Sequence, residues 1–417
     1  MLPSDTAAHD WYRFVLSFPP HLVRDYLSRF GVSENQTVLD PFCGTGTTLV
    51  ECKKLGIPSI GVEALPSSAF VSNTKLEWSI DGGALMDSAS RIASEVQRQL
   101  VTEGIADEPP NEGVDLFELR QLPPDAAKLM FKDAISPLPL HKTLVLRDEL
   151  ERQWSEEYSN HQMLALASAL VGDISNLKFG PEVGLGKVKQ DAAVVSAWLD
   201  RVAKIASDMN VLPDSEVAAK VKCGDSRQIN EVLPPNSVDA VITSPPYPNE
   251  KDYTRTVRIE SVILGFFEDR MDLRSTKKHL LRSNSRTVYK DDADDDWLPA
   301  NSPVLELANR IENRRIELGK TSGFEKQYAN VVRLYFGGMA RHLKSLTSVL
   351  KPGAQLAYVV GDQASFFRIM IRTGRLLAQI AEECGYSVEG IDLFRTRLAT
   401  ATREQLREEV LLLRWPG

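Results

Sequence analysis

The four residues Ser244-Pro245-Pro246-Tyr247 follow an apolar run, Val238 to Ile242, that has the texture of a buried strand. Two prolines stop the run, because proline cannot donate to a sheet ladder. The loop then offers one hydroxyl, main-chain carbonyls without competing N–H groups, and an aromatic ring. That set suits the exocyclic amino group of a nucleobase, which has two hydrogens to give and a lone pair delocalised into its ring. The Ser244 oxygen and a main-chain carbonyl, that of Pro245, can accept the hydrogens and draw the nitrogen toward tetrahedral geometry. Tyr247 supplies a face on which an extruded base can stack, at about 1–3 kcal/mol. For these residues alone, a Pro-Pro turn capping a strand is the plain alternative.

A second stretch, Asp40-Pro41-Phe42-Cys43-Gly44-Thr45-Gly46-Thr47-Thr48, sits between a strand pattern and a helix pattern. Its glycines permit positive φ and close approach of backbone to a ligand, and the helix behind it presents free N–H groups. A tight strand–helix turn would use the same residues. Asp40 closes the first strand, and Glu63 closes the next at the spacing that serves ribose hydroxyls in dinucleotide folds. No lysine follows the glycines, so this is not a phosphate-gripping loop. A carboxylate there favours a ligand with a cationic amino group, a ribose and no phosphate; S-adenosylmethionine has all three traits. A third acid, Asp225, with Ser226 beside it, closes a later strand and could accept from an adenine amino group or simply cap a helix.

Elements must hold these loops. Thr37–Leu39, the glycine loop, a helix near Thr47–Leu55 and Ser59–Val62 form a βαβ unit, the seed of an α/β, Rossmann-like, doubly wound and mostly parallel sheet. Residues 1–80 are expected to form the first part of the core. Residues 81–212 form a largely helical insertion for target recognition or dimerisation, with helices at Ala89–Val101, Lys142–Glu157, Gln162–Leu177 and Ala192–Met209. Core texture returns over 213–267, a polar and basic insertion covers 268–326, and the core closes over 327–417. That last part has helices at Gln327–Leu350 and Phe366–Cys384, a strand AQLAYVVGD, and a hairpin from YSVEGIDLFRT to EEVLLLRW.

The 417 residues are 43% hydrophobic and 25% charged, which supports a real core. No apolar run approaches a membrane span, and the first residues lack a secretory pattern. The four cysteines are scattered, which argues against a disulfide framework and a zinc site and suits the cytoplasm. A net charge of −8 does not by itself favour nucleic acid, although only the field at the binding face matters.

With these pieces in place, the chain resembles the amino-directed DNA methyltransferases, which modify cytosine N4 or adenine N6. DPFCGTGTT resembles the family's cofactor loop and SPPY its catalytic motif; Phe18-Pro19-Pro20 is similar to the upstream segment on the methionine side. VEALP, GDSRQI and KPGAQLAYVVGD match more loosely. The resemblance implies a seven-stranded class I methyltransferase sheet with an antiparallel strand near its end. It also implies base flipping, direct methyl transfer and a setting in restriction–modification or a related defence system. A cognate nuclease is then a candidate partner. Serine in the first SPPY position looks like the N4-cytosine enzymes, and the absence of a Pro-Cys motif argues against the C5 branch. Rival readings are N6-adenine methylation, an RNA amino methyltransferase, and a non-catalytic DNA-binding subunit. The glycine loop precedes SPPY, as in the alpha arrangement, although the third strand follows the insertion.

For contact with double-stranded DNA, the run Arg274, Lys277, Lys278, Arg282, Arg286 and Lys290 contains no acid and follows the catalytic region. The alternative is a solvated loop neutralised by Asp291–Asp296. Arg255 and Arg258 follow SPPY closely and face either the substrate or a helix surface, and Lys251 and Asp252 are equally ambiguous. His21 and His279 have no partners that suggest a metal. The oligomeric state is not legible.

Overall fold

Hydrophobic runs with both alternating faces apolar build the centre of the sheet. The computed structural model describes residues 3–14, 17–111, 113–115, 117–180, 182–398 and 405–417. The chain divides into two compact units: Met1–Ser17, Pro66–Glu216 and Thr254–Ser275 form one, and Phe18–Leu65, Val217–Tyr253 and Thr276–Gly417 form the other.

The second unit carries β1 (Val38–Asp40), β2 (Ser59–Glu63), β3 (Ala219–Cys223), β4 (Val238–Thr243), β5 (Leu350–Gly361), β6 (Ser387–Leu398) and β7 (Gln405–Arg414). Their order across the sheet is β3-β2-β1-β4-β5-β7-β6. The first five pair in parallel, and β7 runs antiparallel between β5 and β6. This is the Rossmann-like class I methyltransferase sheet, with β7 as its reversed strand. The third strand comes from beyond residue 212, as the sequence indicated, and still takes its place beside β2.

Pleating divides the strand residues between two cores. Leu39, Val241, Leu356, Tyr358, Val360, Leu411 and Leu413 join one cluster, with α3 (Pro303–Glu317), α4 (Tyr328–Leu346) and α5 (Thr373–Glu383). Val38, Ala240, Ile242, Ala357, Val359, Val410 and Leu412 join the other, with α1 (Pro20–Phe30) and Cys52 of α2 (Thr47–Lys54). Burial on both faces explains why the parallel strands are continuous apolar runs rather than alternating ones.

The polar stretch after residue 276 is less detached than its composition suggests. Leu281, Leu298, Val304, Leu307, Ala308 and Ile311 all enter the first cluster. Three helices are shorter than the sequence predicts. The one expected as Gln327–Leu350 ends at Leu346, and Leu350 already opens β5. The segment expected as Gln162–Leu177 leaves the α-helix after Ala169, Gly172 has φ of 102°, and Leu177–Lys178 pairs with Gly184–Leu185 instead. The helix expected from Phe366 begins at Thr373, because Phe367 and Arg368 take positive φ of 53° and 63°. In the first unit, helices Gly82–Thr102, Pro137–Arg152, Ser159–Ala169 and Val194–Met209 pack together, and Trp198 Nε1 donates to the Gln162 carbonyl at 2.9 Å.

Helix α4 lies directly on the turn Asp294–Trp297, where a Cβ on Gly337 would overlap the Asp294 carbonyl. A Gly→Ala exchange inside a helix ordinarily gains about 1 kcal/mol. Gly337→Ala is expected to lose about 1–3 kcal/mol by overpacking, seen as a lower Tm in thermal unfolding. A raised Tm would show that α4 does not press on this turn.

Candidate functional site

Asp40, Glu63, Asp225 and Ser244 stand at or just past the carboxyl ends of parallel strands, where open α/β sheets bind ligands. β1 and β4 are neighbours, so the glycine loop and the SPPY loop leave the sheet side by side. Asp40, the last residue of β1, is 1% exposed. Its Oδ1 accepts from the Phe42 N–H at 3.1 Å and from Thr243 Oγ1 at 2.6 Å, and its Oδ2 accepts from Thr48 Oγ1 at 2.7 Å. One carboxylate thus ties together the loop, the first turn of α2 and the end of β4. Roughly four acceptor positions exist on a carboxylate, so about one remains for a ligand. Burial pushes the Asp40 carboxyl up to about 6, against the hydrogen bonds from Thr243, Thr48 and Phe42.

The loop itself turns at Gly44 and Gly46, with φ of 53° and 87°. Nothing stands within 4 Å of where a Gly44 side chain would be, so the backbone is open to a ligand there. Glu63 holds the loop from the neighbouring strand: it accepts from Gly44 N–H and Leu65 N–H, each at 2.8 Å. Burial raises its carboxyl to about 7. Pro41, Thr45, Gly46, Thr47 and Thr48 are buried, while Phe42, Gly44 and Glu63 are partly exposed. Phe18 packs against the cluster of α1, and Pro19 is that helix's N-cap residue. Two carboxylates, an open glycine turn and no lysine or arginine in residues 40–48 form a donor set that fits ribose hydroxyls and an ammonium group.

Asp225 stands past β3 and is 7% exposed. It caps the turn Ser226–Gln228 through the Arg227 N–H at 2.9 Å and clasps the Arg227 guanidinium at 2.6–3.1 Å. Arg227 is also buried and pairs with the buried Asp294. The capping role foreseen for Asp225 is thus present, with an arginine added to it. The Ser226 carbonyl accepts from His342 Nδ1 at 2.8 Å, which leaves His342 Nε2 to accept from the Tyr358 hydroxyl at 2.7 Å. Burial lowers the His342 imidazole to about 4, so it stays neutral, and its ring meets Phe42 edge-on at 4.8 Å.

On the target side, the Ser244 hydroxyl donates to the Val359 carbonyl of β5 at 3.1 Å. Its one proton is committed there, and the Tyr247 phenol bonds to the same oxygen, so one lone pair remains as an acceptor. Pro245 is buried; Pro246 and Tyr247 are partly exposed. The Tyr247 ring packs on Gly361, where an added Cβ would come within 3.0 Å of Tyr247 Cε2. Burial raises the Tyr247 phenol to about 12, so the ring is a neutral surface and no base at neutral pH.

Of the basic residues singled out in sequence, Lys277 pairs with Asp252 at 3.0 Å, Lys278 with Asp291 at 2.9 Å, and the buried Arg282 with Asp292 at 2.7 Å. Arg286 lies over the Phe324 ring at 5.3 Å. Arg255, in the other unit, lies over Phe131 at 4.6 Å, and Arg274 is in that unit too. Sequence reasoning missed Thr243, Arg227, Asp294, His342 and Tyr358. Thr243 directly precedes SPPY and was within reach of a strand-end argument; Asp294 was hidden in the aspartate run.

A family model described as DNA methylase matches residues 6–69. The type II methyltransferase M.BsoBI of Geobacillus stearothermophilus is 25% identical over 432 aligned residues, covering 95% of this chain and 82% of that protein. The type II methyltransferase M.AvaI of Nostoc sp. is 25% identical, covering 97% of this chain and 86% of that one. The type II methyltransferase M.MjaII of Methanocaldococcus jannaschii is 39% identical over 70 residues, 16% of this chain and 13% of that one. Methyltransferase sheet, glycine loop, family match over residues 6–69 and chain-length relatives agree: this chain is similar to the amino-directed DNA methyltransferases, and its methyl donor is S-adenosylmethionine.

Proposed function

We propose that the protein methylates the N4 amino group of cytosine in duplex DNA, as the modification enzyme of a type II restriction–modification system acting in the cytoplasm. The observation that carries this reading is the Ser244 hydroxyl, anchored on the Val359 carbonyl at 3.1 Å at the mouth of the loop that holds Tyr247. Serine in that motif position supports cytosine over adenine, by resemblance to the N4 branch. Relatives named as type II methyltransferases support the restriction–modification setting. No helix among the described residues is long and apolar enough to cross a membrane.

S-adenosylmethionine supplies an electrophilic methyl group. Everything else falls to the chain. Glu63 and the open Gly44 turn hold the ribose and adenosine side; Asp40 and the residues around Phe18 and Pro19 hold the amino-acid side. Asp225 and Ser226 flank the adenine. On the other side, Tyr247 stacks the extruded cytosine, while Ser244 Oγ and the Pro245 carbonyl accept its two amino hydrogens. Fixed acceptors localise the nitrogen lone pair and stabilise the positive charge that grows on nitrogen during transfer. The methylated nitrogen then sheds one of its two hydrogens to water past the Ser244 and Pro245 oxygens; the cation is acidic enough that neither a basic side chain nor a covalent enzyme–base bond is required.

Three outcomes follow. Digestion of methylated duplex DNA and mass spectrometry of the nucleosides should show N4-methylcytosine; N6-methyladenine would overturn the choice of base, and label confined to tRNA would overturn the choice of DNA. Ser244→Ala should leave the cofactor Kd unchanged and cut single-turnover methylation on the order of 10²–10³-fold, the usual cost of losing one preorganised polar contact. Full turnover in that variant would remove the role given to the hydroxyl.

The third concerns pH. Asp40 and Glu63 have folded-state values raised to about 6 and about 7. In the free protein they favour folding most below the ordinary carboxylate range, and that contribution is lost as pH rises through 6 and 7. Cofactor binding needs them ionised and runs the other way. Isothermal titration should show S-adenosylmethionine affinity falling on the order of 100-fold between pH 8 and 5.5. Glu63→Gln should remove the step near neutrality; an affinity flat with pH would contradict the assignment.

A further inference from the structure

The cations that the sequence offered for DNA contact at Lys277, Lys278 and Arg282 are engaged by Asp252, Asp291 and Asp292. A different pair stands beside the target loop. In the sheet register, Gly361 of β5 lies opposite Glu408 of β7, and Glu408 lies opposite Arg395 of β6. Directly opposed residues share a face, and Arg397, two residues on, points the same way. The Gly361 position sees the Tyr247 ring and the Glu408 Cγ together, at 3.0 and 3.5 Å from an added Cβ. Tyr247, Glu408, Arg395 and Arg397 therefore follow one another along a single face of the sheet, outward from the SPPY loop.

Glu408 organises the two arginines. Arg395 Nε lies 2.6 Å and Arg397 Nε 3.8 Å from its carboxylate oxygens. Both contacts run through Nε, the root of the guanidinium fork, and the side chains remain 58% and 52% exposed. One carboxylate between two guanidiniums leaves surplus positive charge. Arg395 is further braced over the Phe394 ring at 5.3 Å. Planar, half-exposed and pinned at the root is the state in which arginine binds phosphate with the least ordering cost.

We propose that Arg395 and Arg397 grip the DNA backbone phosphates flanking the extruded base, with Glu408 holding the pair in place beside Tyr247. The proposal rests on duplex DNA being the substrate. Such contacts fix the register of the duplex over the pocket and carry no sequence information.

The test is fluorescence anisotropy of a labelled mixed-sequence duplex with cofactor-saturated protein, between 50 and 200 mM salt. Each phosphate contact contributes about 0.9 to the slope of log affinity against log salt. The Arg395→Ala/Arg397→Ala variant should flatten that slope by about 1.8 and weaken low-salt binding on the order of tenfold. Its S-adenosylmethionine Kd, measured alongside, should not change. The Arg395→Lys/Arg397→Lys variant keeps both charges and should recover most of the slope. An alanine pair with the original slope and intact cofactor binding would overturn the proposal, as would a lysine pair that fails to restore it. Absence of any duplex binding by the unsubstituted protein would instead sink the DNA reading beneath it.

Discussion

A single buried carboxylate organises the site. Asp40 sits at the end of strand β1, with β4 on one side and β2 on the other. Its three hydrogen bonds reach the glycine loop, helix α2 and Thr243 at the end of β4. Burying a carboxylate is costly unless its oxygens are satisfied, so these donors are obligatory partners. The consequence is geometric. Whatever sets the glycine loop also sets the residue before SPPY.

The rest of the unit repeats this logic at larger scale. Asp225, Arg227 and Asp294 are all buried, and Arg227 is clasped between the two acids. Removing one member of such a set typically costs about 3–5 kcal/mol, because the others are left buried and unpaired. The set joins the loop after β3 to the turn Asp294–Trp297, which α4 presses from above through Gly337. A polar, aspartate-rich segment is thereby fixed against the loop after β3. His342, neutral and bonded to both Ser226 and Tyr358, braces the same loop and offers its ring to Phe42.

The sheet and its two loops were legible because each depends on local rules: apolar runs stopped by glycine or proline, and acids at strand ends. β1, β2, β3 and β4 lie within two residues of where the runs placed them, and the hairpin of β6 and β7 closes the sheet as expected. What escaped depends on partners far away in sequence. Nothing local distinguishes Asp294 from its four neighbouring aspartates, yet it alone among Asp294, Asp295 and Asp296 is buried, 67 positions from its partner Arg227. Nothing local shows that Lys277 and Arg282 meet Asp252 and Asp292. The clustered cations of that segment are visible in sequence, whereas Arg395 and Arg397 gain their place beside Tyr247 only through sheet register.

The coupling through Asp40 can be tested at a residue that belongs to the target strand. Thr243 is fully buried, and its hydroxyl reaches Asp40 at 2.6 Å. A hydrogen bond to a charged group is worth about 1.5–3 kcal/mol, so Thr243→Val should weaken S-adenosylmethionine binding roughly 10-fold or more, measured by isothermal titration at pH 8. An unchanged cofactor Kd in a folded Thr243→Val protein would contradict the claim that one carboxylate holds both halves of the site.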